Sequence, residues 1–363
     1  MNSDRKVFMT TPEPADKQTS RKATLSAVAE RAGVSLATAS RALIGTYPVA
    51  EKTRARVVEA ASELGYARGR RIGDAERRFP TVAVVAHDIR QEFLVEIVSG
   101  IEQVAAGAGH FCLVGSTGYA AETELSMLET LVGDPAIEGV IVAGGAYDTP
   151  AYREGMGDMA RRFADRGLPL VFCGRPGLGD DSSIRVVDYD RAGGAASAVG
   201  HLLSRGHRRI AYIRGPHGFS TSEGRTAGHD AALASFGIPA DDRLVKVGER
   251  SRATGYEATR ELLAEEAGMT AIFAENDYMA AGCLAALREA GLSVPGDVSV
   301  IGYDDLHFAQ ETWPPLTTVH LPFDELGRAA ARLVLAPPAP GSGRNSALFG
   351  THLVIRDSVG SLW

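Results

Sequence analysis

The residues with the clearest chemical potential lie near the start of the chain. Within Thr24–Leu43 (TLSAVAERAGVSLATASRAL) short hydroxyl side chains, Thr24, Ser35, Thr38 and Ser40, surround Arg41, and Thr53 follows shortly after. Hydroxyls of this kind donate to phosphate oxygens, and an arginine fork can pair with O6 and N7 of guanine, worth about 1–3 kcal/mol of discrimination between bases. The same residues also suit a plainer reading, in which the hydroxyls cap helices and Arg41 is a solvated surface side chain.

The elements that would position them are short helices. Thr24 suits an N-cap, Leu25, Val28, Ala29 and Ala32 share one helical face, and Gly33 ends the helix. Ser35 caps a second helix to about Leu43, and Glu51–Leu64 gives a third with Val57, Ala61 and Leu64 on one stripe before Gly65. Small residues, Ala29 and Gly33, allow a close crossing over a core of Val28, Val34 and Ala39, which leaves Leu36, Ala37 and Arg41 on the outer face of the second helix. A helix so presented fits the major groove. Residues 1–78 carry 15 Lys or Arg against 9 Asp or Glu, while the rest of this chain of net charge −7 is acidic. A basic head on an acidic body points to nucleic acid at one end and something different at the other.

From Pro80 onward the pattern changes. Apolar runs (Val82–Ala86, Phe111–Val114, Gly139–Ala143, Leu170–Cys173, Ile210–Ile213, Ala271–Ala274, Val298–Ile301) alternate with helical stretches such as Glu92–Ala108, Glu122–Val132, Ala192–Arg205 and Met279–Ala290. Continuous apolar strands alternating with helices predict parallel sheets covered on both faces, and about 280 residues of it exceed one ordinary domain. The expected fold class is therefore α/β: a small all-α helix-turn-helix head followed by two doubly wound parallel-sheet lobes. No apolar run is long enough to span a membrane, the polar first residues lack the apolar core of a secretory signal, and Cys112, Cys173 and Cys283 form no metal or disulfide pattern, so a cytoplasmic protein is expected. GxGxxG, GxxxxGK[ST], HExxH and GxSxG are all absent, which argues against an enzyme, and no cofactor or metal is expected. His207, in Gly206-His207-Arg208-Arg209, reads as closing a helix-to-strand turn, and His87 and His320 as core or surface residues that could alternatively touch the cleft.

The chain resembles the LacI/GalR family of bacterial transcriptional repressors from about Ala23 to Val359. The resemblance rests on Thr24-Leu25, Val28-Ala29, Ala32-Gly33-Val34-Ser35 and Thr38-Ala39-Ser40-Arg41, on Val49-Ala50-Glu51-Lys52-Thr53-Arg54, on Arg205-Gly206-His207-Arg208-Arg209-Ile210-Ala211, on Val294–Asp305 (VPGDVSVIGYDD), on Pro314–Val319 (PPLTTV) and on Leu353-Val354-Ile355-Arg356. It implies base reading by Leu36, Ala37 and Arg41, and a body like a periplasmic binding protein, with three chain crossovers and a ligand in the cleft between lobes. The implied arrangement is a flexible tail (1–22), the head (23–67), a hinge linker (68–79), one lobe from 80–187 plus 319–341 and the other from 188–318 plus 342–363. In the linker the family's wedging leucine aligns with Ala75, so backbone contact through Arg68, Arg70, Arg71, Arg77 and Arg78 with a weaker or differently placed kink is expected.

The pocket positions implied by the resemblance are Asp88, Phe93, Thr221, Arg225, Arg250, Asn276, Asp277, Asp304 and Phe323, which fall at strand ends or crossovers where doubly wound sheets bind ligands. Asp304 can accept from two hydroxyls, Arg225 can donate a fork and the two phenylalanines offer apolar faces, a mixture that suits sugars and also nucleosides. Asp304 with Arg225 can equally form a structural ion pair, and Asp88 and Thr221 can cap helices. Arg250 stands where relatives often carry an aromatic residue and Leu321 where glutamine is frequent; a second arginine fits either an acidic ligand or a side chain turned to solvent. The expected function is a homodimeric, ligand-responsive repressor of a catabolic or uptake operon. It would bind a pseudo-palindromic operator without a membrane partner, under control of a sugar-like effector. The alternatives are a nucleoside- or purine-type corepressor and a free solute-binding protein. No heptad pattern follows the last strand, so a coiled-coil tetramer is not expected.

Overall fold

A computed structural model of the chain describes residues 24–44, 49–64, 79–179, 183–335 and 346–363. The chain divides into one unit up to Arg78 and another from Phe79 to Trp363. The expected tail (1–22) and the linker positions 68–78, Ala75 among them, lie outside the described residues. Phe79, expected to end the linker, belongs to the second unit, where its ring meets Phe111 edge-on at 4.6 Å.

The first unit holds α1 (Leu25–Arg31), α2 (Leu36–Ile44) and α3 (Glu51–Glu63). Thr24 caps α1, its Oγ1 accepting from the Ala27 amide at 3.1 Å, and the Ser35 hydroxyl caps α2 by accepting from the Thr38 amide at 3.1 Å. Gly33, at φ +63°, makes the left-handed turn between them. The core is built of small residues, Val28, Ala29, Ala32, Ala39, Ala42, Val57, Ala60 and Ala61, which lets three short helices approach closely.

The second unit contains two parallel sheets. The first lobe's sheet has the order β11-β5-β4-β3-β1-β2, from β1 (Thr81–Ala86), β2 (Phe111–Ser116), β3 (Ile137–Ala143), β4 (Leu170–Cys173), β5 (Ile184–Tyr189) and β11 (Ser346–Phe349). Its helices are α4 (Glu92–Gly107), α5 (Ala121–Gly133), α6 (Pro150–Asp165) and α11 (Phe323–Leu335). The second lobe has the order β7-β6-β8-β9, from β6 (Ile210–Arg214), β7 (Val245–Val247), β8 (Ala271–Ala274) and β9 (Ser299–Ile301). Its helices are α7 (Arg191–Ser204), α8 (Ser220–Ser235), α9 (Arg252–Ala264) and α10 (Asp277–Glu289), and β10 (Thr318–His320) pairs antiparallel with β12 (His352–Val354) beside it. The central strands are buried along nearly their whole length, as uninterrupted apolar runs require of sheets covered on both faces.

Glycines set the closest helix contacts. A Cβ on Gly100 of α4 would collide with the Asp324 carbonyl, and one on Gly327 of α11 with that of Ile97, so the two helices cross backbone to backbone. Gly255 and Gly282 do the same for α9 and α10. The chain passes between lobes after β5, after β10 and after β11. The last passage corrects the expectation that 342–363 all belong to the second lobe, because Ser346–Phe349 pairs parallel with Val186–Tyr189 of β5 in the first. That strand lies at a sheet edge with only alternate residues half-buried, so it carries no continuous apolar run.

Candidate functional site

On the head, Leu36, Ala37 and Arg41 lie on the exposed side of α2, with Ala39 and Ala42 turned into the core. Leu36 is 54% exposed, a large apolar side chain offered to whatever covers this face. Thr24 and Ser35 are exposed, and Thr38, Ser40 and Thr53 half-buried. Capping and phosphate contact do not compete at Thr24: the cap uses an oxygen lone pair and leaves the hydroxyl proton able to donate. Ser35 and Thr38 share a further hydroxyl–hydroxyl bond at 2.8 Å, which fixes both at the start of α2.

Between the lobes, six of the expected pocket residues converge. Phe93 at the start of α4 and Phe323 at the start of α11 place their rings 5.3 Å apart from one side. Thr221 and Arg225 of α8, Arg250 just before α9 and Asp304 just after β9 close the other, while Tyr189, Gly144 and Gly145 line it from the first lobe. The space enclosed is only about 20 Å³, room for roughly one water. The lobes are fastened over it by backbone bonds: the Ser220 amide donates to the Ala146 carbonyl at 2.9 Å and the Asp148 amide to that of Gly218 at 2.9 Å.

Arg225 and Asp304 form the ion pair that was one of their two readings. Arg225 Nη2 donates to Asp304 Oδ1 at 2.6 Å and to the Tyr189 hydroxyl at 3.2 Å, Nη1 donates to the Glu275 carbonyl at 2.6 Å, and the guanidinium stacks on Tyr303. Burial lifts the Asp304 carboxyl above its ordinary pKa, against the pull of Arg225 and Arg250. Its φ of +111° is a backbone strain of the sort that binding sites retain. Arg250 does not turn to solvent. Its guanidinium lies over the Phe219 ring and 3.6 Å from Glu275, an acid that is completely buried and accepts from Ser222 Oγ at 2.6 Å. The cavity wall thus carries Arg225, Arg250 and Asp304, with Glu275 buried behind Arg250. Thr221 Oγ1, Arg225 Nε and Arg250 Nε are buried there without a hydrogen-bond partner.

The remaining three expected residues serve other purposes. Asn276 caps α10, its Oδ1 accepting from the Met279 amide at 2.8 Å. Asp277 is fully buried, accepting from Leu306 N at 2.8 Å and Thr318 Oγ1 at 2.6 Å, and burial pushes its carboxyl well above the usual range. Asp88 pairs with Arg90 at 2.9 and 3.0 Å, a bidentate contact that lowers its pKa to about 2. None of the three lines the cavity.

Sequence reasoning missed Glu275, Tyr119, Tyr147 and Phe219. It also underrated His87, whose ring sits 4.5 Å from that of Tyr119, with both nitrogens buried and unpartnered. Burial drives the His87 pKa down to about 3, with Arg250 and Arg175 adding to the effect. Phe219 follows the Gly215-Pro216-His217-Gly218 turn, and glycine-rich turns at strand ends were the only available signal for it.

Residues 24–68 match the family described as bacterial regulatory proteins, lacI family, and residues 199–359 match the periplasmic binding protein-like domain. Over 345 residues the chain is 34% identical to the HTH-type transcriptional regulator CelR of Thermobifida fusca, covering 93% of this chain and 98% of that one. A solved CelR–cellobiose complex superposes with a TM-score of 0.66 at 32% identity, over 93% of this chain and 99% of the other. The lac repressor dimer bound to operator and the anti-inducer ONPF gives 0.69 at 26% identity, over 94% and 100%. A helix-turn-helix head, two doubly wound lobes and identity along nearly the whole length place the chain in the LacI family of ligand-responsive, DNA-binding transcriptional regulators, which are not enzymes.

Proposed function

We propose that this chain is a cytoplasmic, homodimeric repressor of a catabolic or uptake operon, whose hold on a pseudo-palindromic operator is set by a neutral, sugar-type effector between the lobes. The observation that carries the effector class is that each guanidinium on the cavity wall already faces a carboxylate, Arg225 that of Asp304 on the wall and Arg250 that of Glu275 buried behind it. An anion would have to compete with the carboxylates that already face both guanidiniums, whereas a polyol can satisfy Thr221 Oγ1, Arg225 Nε and Arg250 Nε without adding charge. The relative whose complex contains cellobiose supports the same class. The tilted Phe93–Phe323 pair would also grip a flat base, which keeps a nucleoside corepressor as the second reading.

In this reading Arg41, Leu36 and Ala37 read bases while Thr24, Ser35, Thr38, Ser40 and Thr53 hold phosphates, as two-fold symmetric half-sites require. Residues 80–187 with 319–341, and 188–318 with most of 342–363, act as the two jaws. An effector must part the Ala146–Ser220 and Asp148–Gly218 bonds to enter. A coupling of about 1–3 kcal/mol between jaw angle and head spacing would change operator affinity about 5–150-fold. The test is a mobility-shift survey of upstream fragments from the source genome with sugars and nucleosides added. A fragment held in a salt-dependent way and released or tightened by a neutral sugar supports the reading; a protein that ignores every fragment refutes it.

A further inference from the structure

His320 is the last residue of β10, where the chain leaves the second lobe for α11 of the first. Groups from both lobes surround it there. From the second lobe, its Nδ1 lies 2.9 Å from Oδ2 of Asp305, whose other oxygen accepts from Arg356 Nη2 at 2.7 Å. Asp305 is held at φ +54° beside Asp304 of the cavity wall. The Asp304 amide donates to the Val319 carbonyl at 2.9 Å, so this turn is tied to β10 at two successive residues. His352, paired with His320 across β10 and β12, sets its ring 4.8 Å away. From the first lobe come two carboxylates, Glu325 in the first turn of α11 and half-buried Glu96 on α4, brought beside it by the close α4–α11 crossing at Gly100 and Gly327. This end of α4 also touches the second lobe directly: one turn before Glu96, Glu92 accepts from the His307 amide at 2.6 Å.

The balance of these charges turns on one proton. The hydrogen bond to Asp305 raises the His320 pKa above 6.5, against the cost of partial burial, and Glu325 and Glu96 add to the rise. Burial raises the Glu96 carboxyl, with Glu92 adding to the effect and the His320 charge opposing it. With the proton on, an imidazolium lies between Asp305 of one lobe and Glu96 and Glu325 of the other. With it off, those three carboxylates lose the cation that stood between them.

We propose that His320 is a proton-operated link between the lobes, holding the jaws together when charged and releasing them when neutral, so that closure of the cleft follows pH. Bringing Glu96 and Glu325 up to His320 favours its charged form, so closure takes up a proton. The link is therefore full below the pKa of the open state and is lost as the pH rises through the raised value of the closed one. His352 limits it at the acid end, since a second imidazolium 4.8 Å away repels the first. The proposal rests on the reading of the lobes as moving jaws and on nothing about the chemistry of the effector.

The experiment uses the full chain without effector. Hydrogen-exchange mass spectrometry follows residues 145–149 and 216–222, which contain the Asp148 and Ser220 amides that fasten the lobes, with residues 210–213 of β6 as the reference for unfolding of the whole lobe. Exchange is corrected for the intrinsic rate at each pH. Between about pH 6.5 and 8.5, opening of the two segments should increase about 2–5-fold in the wild type, the size of a partly exposed ion pair. It should stay flat in His320→Gln, which keeps a donor towards Asp305. Histidine NMR, which does not depend on the glutamine variant, should show His320 titrating at lower pH in Glu96→Gln/Glu325→Gln than in the wild type. Equal pH dependence in wild type and His320→Gln, or a His320 titration unmoved by the double substitution, overturns the link and leaves the moving jaws standing. Segments that exchange only together with β6 at every pH remove both, because the lobes then never part without unfolding.

Discussion

Replacing Asp304 with alanine tests the closed, dry geometry of the cleft. Arg225 is about 1% exposed, so removing its carboxylate strands a buried cation, and breaking a buried pair from one side costs about 3–5 kcal/mol. The lower end applies here, since Arg225 keeps its bonds to the Glu275 carbonyl at 2.6 Å and the Tyr189 hydroxyl at 3.2 Å and its stack on Tyr303. Asp304→Ala should therefore lower stability by about 3 kcal/mol, and at roughly 2–4 °C per kcal/mol for a body of this size the transition should fall by about 6–12 °C. Asp304→Asn keeps an acceptor for Nη2 and loses only the charge, and asparagine tolerates positive φ, so about half that loss is expected. Differential scanning calorimetry of the full chain, following the transition of the body, measures both. The same alanine variant should lose its response to the effector in the mobility-shift assay. A loss below about 1 kcal/mol for Asp304→Ala would refute the reasoning, because Arg225 would then be finding water and the lobes would stand open in solution.

Arg41→Ala should reduce the preference for one base pair in each half-site by about 1–3 kcal/mol, measured by comparing operators substituted at that pair; an unchanged preference defeats the base-reading role. His87 gives the acid limb of stability. Its folded pKa of about 3 lies below the unfolded value near 6.5, so its contribution is full above pH 6.5 and is lost as the pH falls towards 3. Between pH 7 and 5 the wild type should lose about 2 kcal/mol that His87→Leu does not lose, read from denaturant midpoints at each pH; parallel curves would place His87 in solvent.

The fold was legible where the physics is local. Uninterrupted apolar runs such as Val82–Ala86 and Ile210–Ile213 can lie only in strands covered on both faces, and they became the sheet centres β1 and β6. His207 also took the role its turn suggested, bonding Thr270 Oγ1 at 3.0 Å and the Gly360 carbonyl at 3.3 Å. Three strands of the two parallel sheets escaped: β5 inside the first sheet and the edge strands β7 and β11. Ser346–Phe349 and Val245–Val247 are short, half-exposed and carry no run of buried residues, so nothing within a few positions marks them. Their partners lie 160 residues away on β5 in one case and 33 residues away on β6 in the other, which periodicity does not see.

The cleft was harder to read than the fold, and the reason is the same for each miss. A residue's place after a strand fixes its approximate location, yet its hydrogen-bond partners come from distant segments. Asn276, Asp277 and Asp304 all sit at strand ends, but Asn276 is spent on the α10 cap and Asp277 on Leu306 and Thr318, while Asp304 alone reaches the cavity. Glu275 lies one position before Asn276 and escaped because a fully buried acid can be interpreted only once Arg250, Ser222 and Gly215 are seen around it. That pairing changes the meaning of Arg250. Alone it invites an anion; faced by Glu275 it becomes half of a neutral pair that can turn one donor to a ligand. On the proposed reading the effector is selected by the geometry of its hydroxyls and not by its charge, and the Arg250–Glu275 contact, at 3.6 Å, is loose enough for a ligand oxygen to compete for the guanidinium.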